Sequence, residues 1–430
     1  MDIYVVQPGD TIRSIAARFG VSADFLIRYN ELEHPNSLVP GETIVIVYPR
    51  QTYTVQDGDS LLSIANAHGI SVMQLLRNNP FLSDRRYIFP GESLIISYNT
   101  KRSLSTIGFA YPYINRNTLR RTLPSLTYIS VFNYQSIGNG DLISYFDDTE
   151  IIRISKEYGT IPLMLITTLT ARGVPNVDAA YSLLLNADLQ EQLITNIIDM
   201  IRAKGYVGIN IVFNYLTEST QRLYDDFAVR IASRLRSEGY LFFVTINPHI
   251  ENENSEITFD QADYSIIDQS SDFILFLQFI WGNNTNPPAP VSSISDLRAL
   301  ITFAVTTAQP EKLFLGKPII SYDWALPYVP DRTIAYSLTL NSALNLASEV
   351  GAVIQFDEPS QTPYFTYEQY LIGTPIQHIV WSIDARSINA MALLIDEYNL
   401  KGPGIWNVMI YYPQLWLVLN SQYDIEKIEL

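Results

Sequence analysis

The N-terminal part of the chain contains the same pattern twice. Residues 4–47 read YVVQPGDTIRSIAARFGVSADFLIRYNELEHPNSLVPGETIVIV, and residues 53–96 read YTVQDGDSLLSIANAHGISVMQLLRNNPFLSDRRYIFPGESLII. The second copy is offset by 49 residues at Tyr53 and by 50 at Pro90, so one residue is inserted in the loop before Pro90. This repeat constrains the fold strongly, because each copy must form the same small structural unit.

Local signals predict the elements of each copy. A short alternating strand leads into a Gly-Asp-Thr or Gly-Asp-Ser turn. Thr11 and Ser60 are predicted N-caps of a first helix, because a hydroxyl at that position accepts from a free backbone N–H. Gly20 and Gly69 are predicted to end the helix. A second helix, a Pro-Gly turn and a β-branched strand follow, so each copy is predicted to fold as strand–helix–helix–strand.

This double pattern resembles the LysM domain, and the resemblance covers residues 1–48 and 52–98. It implies a shallow groove that binds N-acetylglucosamine-containing chains such as peptidoglycan or chitin. The same residues serve as turns and caps, where exposed backbone groups are open to ligands. Two weak sites on one chain would raise the avidity for a polymer. Carried over by position, the groove residues are Gly9, Asp10, Thr11, Asn30, Gly58, Asp59, Ser60 and Asn79.

Beyond a polar segment at 98–104, predicted to be a linker, apolar runs alternate with amphipathic helices. Near-continuous apolar runs are typical of parallel strands that helices cover. Eight of them over residues 104–430 predict an α/β fold, a (β/α)8 TIM barrel. A small α+β insertion is predicted at about 328–384, between strands seven and eight. The predicted strands are 107–111, 128–134, 161–168, 207–215, 240–247, 273–281, 313–322 and 404–412.

Charge and composition argue against several classes of function. The formal net charge is −16, and −15 of it falls after residue 102, which disfavours nucleic acid as a partner. The chain has no cysteine and four scattered histidines, so we expect no metal and no other cofactor. The N-terminus lacks the pattern of a secretory signal, and no apolar run reaches membrane-spanning length. We therefore expect neither a signal peptide nor a membrane span.

The predicted carboxyl ends of strands four, six, seven and eight are where a barrel of this kind performs chemistry. They are rich in aromatic residues and poor in paired acids. A glycosidase needs two carboxyl groups, or one acid plus a substrate acetamido group, and Asp323 is the one acid in this set. The candidate sugar-binding residues are Asn214, Phe279, Trp281, Tyr322, Asp323, Trp324 and Trp406.

The barrel resembles glycoside hydrolase family 18, in its branch of bacterial spore cortex-lytic N-acetylglucosaminidases. The resemblance spans residues 104–430. It rests on four landmarks, which are GYVGINIVFNYL at 205–216, SYDWALPYVPDRTIAYSL at 321–338, IQFDEPSQTPYFTY at 354–367 and VWSIDARS at 380–387.

The resemblance also implies a mechanism that this sequence does not support. In the family, a strand-four motif ending in Asp-x-Glu supplies an Asp that orients the substrate acetamido group and a Glu that protonates the glycosidic oxygen. Val212 stands at the Asp position and Asn214 at the Glu position. On strand six, Phe279 and Ile280 stand where the branch carries Tyr and Glu. Asparagine cannot act as a general acid, a role worth roughly 10²–10⁴-fold in rate.

We therefore expect a glycan-binding pseudoenzyme of the spore envelope, with an N-acetylglucosamine-containing polysaccharide as its partner. The resemblance implies a location in the coat or cortex region of a spore-forming bacterium. One alternative is an active N-acetylglucosaminidase that cleaves spore cortex peptidoglycan, using Glu218, Asp225 or Asp226 as a substitute acid. Another is a structural spore coat protein whose barrel has lost sugar binding. Engineered inactivation is disfavoured, because it usually alters one residue, whereas this sequence differs from the family pattern at four positions: Val212, Asn214, Phe279 and Ile280.

Overall fold

The computed structural model describes residues 1–83, 85, 87–168, 176–214, 216–253, 256–278, 283–371 and 373–428. Both N-terminal repeats have the predicted strand–helix–helix–strand order, and the two strands of each repeat pair antiparallel. Repeat 1 consists of β1 (Asp2–Val5), α1 (Ile12–Phe19), α2 (Ala23–Asn30) and β2 (Thr43–Ile46). Repeat 2 consists of β3 (Gln51–Thr54), α3 (Leu61–His68), α4 (Val72–Asn78) and β4 (Ser93–Ser97).

The predicted helix caps are confirmed in both repeats. The side chains of Thr11 and Ser60 each accept a hydrogen bond from the backbone N–H three residues later, at 3.1 and 3.0 Å. Gly20 and Gly69 end the helices with φ of +67° and +66°, a backbone conformation that glycine adopts without a Cβ clash. Local chemistry therefore fixes where the first helix of each repeat begins and ends.

Strands after repeat 2 form the barrel, the insertion and the chain end. They are β5 (Arg102–Leu104), β6 (Ile107–Ala110), β7 (Tyr128–Ser136), β8 (Leu142–Ser144), β9 (Ile161–Thr167), β10 (Gly208–Phe213), β11 (Leu241–Ile246), β12 (Ile250–Glu253), β13 (Glu256–Phe259), β14 (Phe273–Phe276), β15 (Asn283–Asn284), β16 (Leu313–Pro318), β17 (Ser321–Leu326), β18 (Ala335–Leu338), β19 (Gln355–Asp357), β20 (Thr362–Leu371), β21 (Thr374–Trp381), β22 (Gly402–Trp406) and β23 (Tyr423–Ile425).

Helices connect these strands and cover the outside of the barrel. They are α5 (Arg116–Thr122), α6 (Thr149–Glu157), α7 (Val177–Leu184), α8 (Ala187–Lys204), α9 (Gln221–Ser237), α10 (Ser265–Ser270), α11 (Ile294–Ala304), α12 (Leu340–Glu349), α13 (Ala385–Glu397) and α14 (Pro413–Asn420). Three short 3-10 turns lie at Pro80–Leu82, Leu123–Ser125 and Pro310–Lys312. In the part of the chain that the structure describes, no helix is long and apolar enough to cross a membrane.

Eight parallel strands close into the predicted barrel. Their order is β6, β7, β9, β10, β11, β14, β16 and β22, and β22 pairs with β6 to complete the ring. Side chains at alternate positions of a strand share one face, and those facing inward fill the barrel with an apolar cluster. This cluster consists of Ile107, Phe109, Tyr128, Phe132, Ile161, Leu163, Leu165, Val212, Phe243, Leu275, Leu277, Phe314 and Trp406.

The run 313–322, predicted to be one barrel strand, is two strands that belong to different sheets. Barrel strand β16 ends at Pro318, and β17 pairs with β18 and β21 in a separate sheet. That sheet has six strands in the order β15, β18, β17, β21, β20 and β19. Apart from β15, which lies before β16 in the chain, the sheet forms the insertion together with α12. The inserted strands begin at Ser321, ahead of the predicted limit at about 328. Pro318 has no N–H to donate to a strand ladder, and the pairing with β22 ends one residue later, where Ile319 N–H donates to the Trp406 carbonyl at 2.6 Å.

The polar segment predicted to be a linker connects repeat 2 to the barrel as an ordered and paired stretch of chain. Strand β5 pairs in parallel with β23 near the C-terminus. Tyr98 is buried, and Lys101 N–H donates to the Gln422 carbonyl at 2.7 Å. The polar character of the segment comes from charges with partners elsewhere in the chain, such as Arg102, whose Nε lies 3.1 Å from Asp396 Oδ1.

The repeats contact each other and the barrel directly. Tyr29 OH donates to Asn79 Oδ1 across the two repeats at 2.9 Å. Arg77 of repeat 2 forms an ion pair with Asp424 beside the barrel. The loop before β2, residues 31–42, packs on the insertion, where Ile354 N–H donates to the Pro40 carbonyl at 2.9 Å. The repeats are therefore held against the barrel through several contacts.

Candidate functional site

Strand β10 carries the positions that the family resemblance singled out. Asn210, Val212 and Asn214 are two residues apart, so their side chains share the inward face. Asn210 joins a polar network in the barrel interior, because its Nδ2 donates to Ser130 Oγ at 3.1 Å and its Oδ1 accepts from Thr245 Oγ1 at 2.8 Å. Val212 belongs to the apolar cluster that also includes Trp406. Asn214 follows at the carboxyl end of the strand.

Asn214 is buried at that end and its side-chain amide is only partly bonded. Its Oδ1 accepts from Asn247 Nδ2 at 3.3 Å, and its backbone carbonyl accepts from Tyr224 OH. Its Nδ2 is buried and has no hydrogen-bond partner among the described residues. A cavity of about 30 Å³ beside it lies between β10 and the helices α7, α8 and α9 that cover this strand. The amide can donate a hydrogen bond to an oxygen atom, but it has no acidic proton to transfer.

A row of aromatic rings extends from the barrel interior to the surface. Trp406 is buried, and its ring centroid lies 6.0 Å from that of Phe132 and 6.3 Å from that of Tyr111. Tyr111 stacks on Tyr113 at 5.3 Å, and Tyr113 meets Phe146 edge to face at 4.9 Å. Tyr113 is 58% exposed and Phe146 is 45% exposed. We refer to these five residues as the aromatic row; such rings pack on apolar faces of sugar rings.

Of the aromatic row, the sequence predicts only Trp406 as a sugar-binding residue. Tyr111 and Tyr113 follow the carboxyl end of β6, Phe132 belongs to β7, and Phe146 follows β8. The signal that could have identified them is the Tyr-Pro-Tyr sequence directly after the first barrel strand, since that edge of the barrel carries its sites.

The candidate residues Tyr322, Asp323 and Trp324 lie on β17 of the insertion sheet, which corrects their predicted place at the end of a barrel strand. Tyr322 and Trp324 are at most 1% exposed. The Asp323 carboxylate accepts from Tyr367 OH at 2.7 Å, and His378 Nδ1 lies 2.8 Å from its second oxygen. These contacts give Asp323 a role in holding three strands of the insertion sheet together.

Two further candidates, Phe279 and Trp281, lie outside the described residues, as does Ile280. Of the substitute acids, Glu218 and Asp226 are exposed, whereas Asp225 is half-buried on α9. Burial raises the pKa of Asp225, while Gln221 opposes the shift through a side-chain hydrogen bond. Among the residues that the structure describes, no group of His, Asp and Glu side chains is placed to hold a metal ion.

In the repeats, two of the eight predicted groove residues are structural amides. Asn30 Nδ2 donates to the Leu26 and Val45 carbonyls, and its Oδ1 accepts from Val45 N–H at 2.8 Å. Asn79 makes the equivalent bonds in repeat 2 and is fully buried. Each amide joins the second helix to the last strand, so its side chain is turned away from solvent.

The other predicted groove residues form the turn after the first strand. Asp10 and Asp59 each accept from a tyrosine hydroxyl, at 2.7 and 2.8 Å, and from a backbone N–H in the turn. The remaining four are exposed to solvent: Gly9, Thr11, Gly58 and Ser60.

The loop beside this turn differs between the repeats. In repeat 2 the loop before β4 is open, with Tyr87 73% exposed and Phe89 59% exposed. Leu62, which lies at the start of α3 next to the turn, is also exposed. In repeat 1 the residue equivalent to Phe89 is Val39, which is buried in a cluster with Phe365 of the insertion. The insertion therefore covers in repeat 1 the edge that repeat 2 leaves open.

Residues 128–409 match the sequence model of glycosyl hydrolases family 18. The chain belongs to this family. Residues 4–47 and 53–97 each match the LysM domain. Both resemblances drawn from the sequence are therefore confirmed, and so is the eight-stranded parallel barrel with LysM domains before it.

Relatives of this family 18 chain match it over its whole length. A protein of Bacillus subtilis (strain 168) named cortical fragment-lytic enzyme is 33% identical over 434 residues, which cover 99% of both chains. The Bacillus anthracis protein of the same name is 29% identical over 99% of both chains. The crystal structure of the spore cortex-lytic enzyme SleL of Bacillus megaterium superposes with a TM-score of 0.79, at 28% identity over 99% of both chains.

Proposed function

We propose that this family 18 chain binds N-acetylglucosamine-containing peptidoglycan at the spore cortex, and that its barrel holds the glycan without cleaving it by the substrate-assisted route. What supports this proposal is the inward face at β10, where the family resemblance places Val212 and Asn214 at the positions of the two family carboxylates. A valine cannot orient an acetamido group, and the Asn214 amide can bond a sugar oxygen without protonating it. The names of the relatives support a location at the spore.

The comparisons favour a second function, which is hydrolysis of cortex fragments. Relatives that match the chain over 99% of its length are named cortical fragment-lytic enzymes. A hydrolytic barrel would need an acid other than residue 214. Asp225 has a raised pKa, because burial disfavours its charge, and a raised pKa suits a general acid. It lies on α9, next to Tyr224, whose hydroxyl bonds the Asn214 carbonyl.

Turnover measurements separate the two functions. We expect the unmodified chain to hydrolyse cortex fragments and a chromogenic N-acetylglucosamine oligomer no faster than Asn214→Ala, because neither protein carries an acid at that position. An unmodified chain that is clearly faster than this variant would establish the lytic function. Loss of that activity in Asp225→Asn, with Asp226→Asn as the exposed neighbouring control, would then identify the acid.

The difference between the repeats predicts that repeat 2 supplies most of the affinity for peptidoglycan. The double variant Leu62→Ala, Phe89→Ala removes two exposed apolar side chains beside the open groove. We expect it to bind insoluble peptidoglycan about tenfold more weakly, as measured by co-sedimentation, because such contacts contribute on the order of 1–2 kcal/mol.

Arg13→Ala is the matched control, since Arg13 in repeat 1 is equivalent to Leu62. It should leave co-sedimentation unchanged, because the loop beside it is covered by the insertion. Equal losses of affinity in the variants of the two repeats would instead indicate two similar sites that act by avidity. If neither variant loses affinity for peptidoglycan, the barrel would be the glycan-binding part. The variant Tyr113→Ala, which removes a ring at the exposed end of the aromatic row, would then test the barrel.

A further inference from the structure

A cavity of about 100 Å³ lies where repeat 1 meets the insertion and the barrel. Its walls come from the loop before β2, from α12 and from the residues around the start of α14. For comparison, an engineered apolar cavity of about 150 Å³ binds benzene. The space is therefore large enough for a few ordered waters or for one small organic molecule. Of the described residues predicted to bind glycan, Asn30 alone lines it.

Glu42, which lines this cavity, has one carboxyl oxygen without a partner. The residue is 8% exposed, and its Oε1 is buried with no hydrogen-bond partner among the described residues. Burial raises the pKa of Glu42 to about 7, although a backbone hydrogen bond with Val39 partly opposes the shift. A buried polar atom without a partner is costly, and in a native protein it is commonly satisfied by a water or a ligand.

Glu92, the equivalent residue of repeat 2, has a cationic partner that Glu42 lacks. Glu92 also faces its own loop, where it accepts from Phe89 N–H at 3.0 Å, and Arg85 Nη1 lies 2.5 Å from its Oε1. Burial disfavours its charge, but the Phe89 N–H and the Arg85 guanidinium outweigh burial and lower its pKa. The loop of repeat 1 contains no arginine. Glu42 thus has the same backbone contact without the cation.

The other acids at the cavity have partners of their own. Glu31 pairs with Arg121, and Asp384 lies 2.7 Å from Arg386. Glu33 accepts from two amides of α12. Among the described acids of the lining, Glu42 is therefore the one without a side-chain partner, and its uncompensated carboxylate favours a cation over an anion or a neutral molecule of the same size.

We infer that this cavity is a binding site for a small organic ammonium ion, whose N–H groups donate to Glu42 Oε1. Its carbon atoms would pack against Ala343 and Leu344 of α12, which also line the cavity. A ligand that carried a carboxylate, such as a free amino acid, would be repelled by the Glu42 carboxylate. Because the site lies between repeat 1 and the insertion, its ligand would also strengthen the contact between them.

Ethanolamine and ethylene glycol test this site, because they have nearly the same shape and differ in charge. Isothermal titration of the full chain at about pH 8 should show one ethanolamine site, with ethylene glycol bound about tenfold more weakly, the difference expected from one charge-assisted hydrogen bond. Glu42→Gln keeps the size of the side chain and should weaken ethanolamine binding by a similar factor. Glu92→Gln, the equivalent change in repeat 2, should leave it unchanged.

Three results would each overturn the inference. They are no ethanolamine binding, equal binding of the two probes, and equal binding by the unmodified chain and Glu42→Gln. A crystal soaked in ethanolamine that shows only ordered water beside Glu42 would have the same meaning. The site is independent of the proposed glycan function, so Glu42→Gln should not change co-sedimentation with peptidoglycan.

Discussion

The double substitution Val212→Asp, Asn214→Glu should turn the barrel into an active N-acetylglucosaminidase. Val212 lies on the inward face of β10 and Asn214 follows the end of that strand, so the new carboxylates would stand where the family resemblance implies them. A general acid contributes roughly 10²–10⁴-fold, and an orienting carboxylate adds to this. We therefore expect release of the chromophore from a chromogenic N-acetylglucosamine oligomer to rise by at least about 10²-fold over the unmodified chain.

The single variants refine this expectation. Asn214→Gln keeps an amide and should remain as slow as the unmodified chain, whereas Asn214→Glu alone should show part of the gain. Circular dichroism checks that the double variant is folded, because Val212 lies in the apolar interior and an aspartate there costs stability. A folded double variant that is no faster than Asn214→Gln would mean that these positions are not the reaction centre.

Gly41→Ala should release repeat 1 from the insertion. Gly41 has a φ of +90°, and a Cβ at this position would lie 1.9 Å from the Ile354 carbonyl oxygen. The clash is with backbone, so it is relieved only if the loop leaves Ile354, which breaks the hydrogen bond to the Pro40 carbonyl. We expect the free energy of unfolding to fall by roughly 3–5 kcal/mol, as measured by urea denaturation.

Gly91→Ala is the matched control in repeat 2. Gly91 has the same φ of +90°, but a Cβ there would meet nothing within 4 Å. Its cost should be limited to backbone strain of about 1–2 kcal/mol. Hydrogen exchange of the Ile354 N–H should accelerate in Gly41→Ala and stay unchanged in Gly91→Ala. Similar unfolding free energies for the two variants would show that the contact with Ile354 contributes little.

The sequence predicted those parts of the fold that depend on local chemistry. Thr11, Gly20 and their counterparts in repeat 2 cap helices through neighbours a few residues away, and the eight barrel strands are long apolar runs. The prediction failed where an apolar run continues across a boundary. Ile319 and Ile320 extend the run of β16 into β17, and Pro318 was the one local signal of the break.

The candidate site was less predictable, because it depends on contacts between distant parts of the chain. Val39 and Phe89 occupy equivalent positions, yet one is covered by the insertion and the other is exposed. No pattern within either repeat distinguishes them. The same applies to Tyr322 and Trp324, which are aromatic residues near a predicted strand end but are buried by strands that lie later in the chain.

The pairing of β5 with β23 has a consequence for how the affinity of this protein would depend on the length of a saccharide. The segment between repeat 2 and the barrel is held in place by this strand pairing. The two proposed glycan-binding surfaces, the groove of repeat 2 and the aromatic row of the barrel, therefore keep a fixed distance from each other. A saccharide shorter than that span can occupy only one surface at a time. Affinity should therefore remain low for short oligomers and rise sharply once a strand is long enough to bridge both.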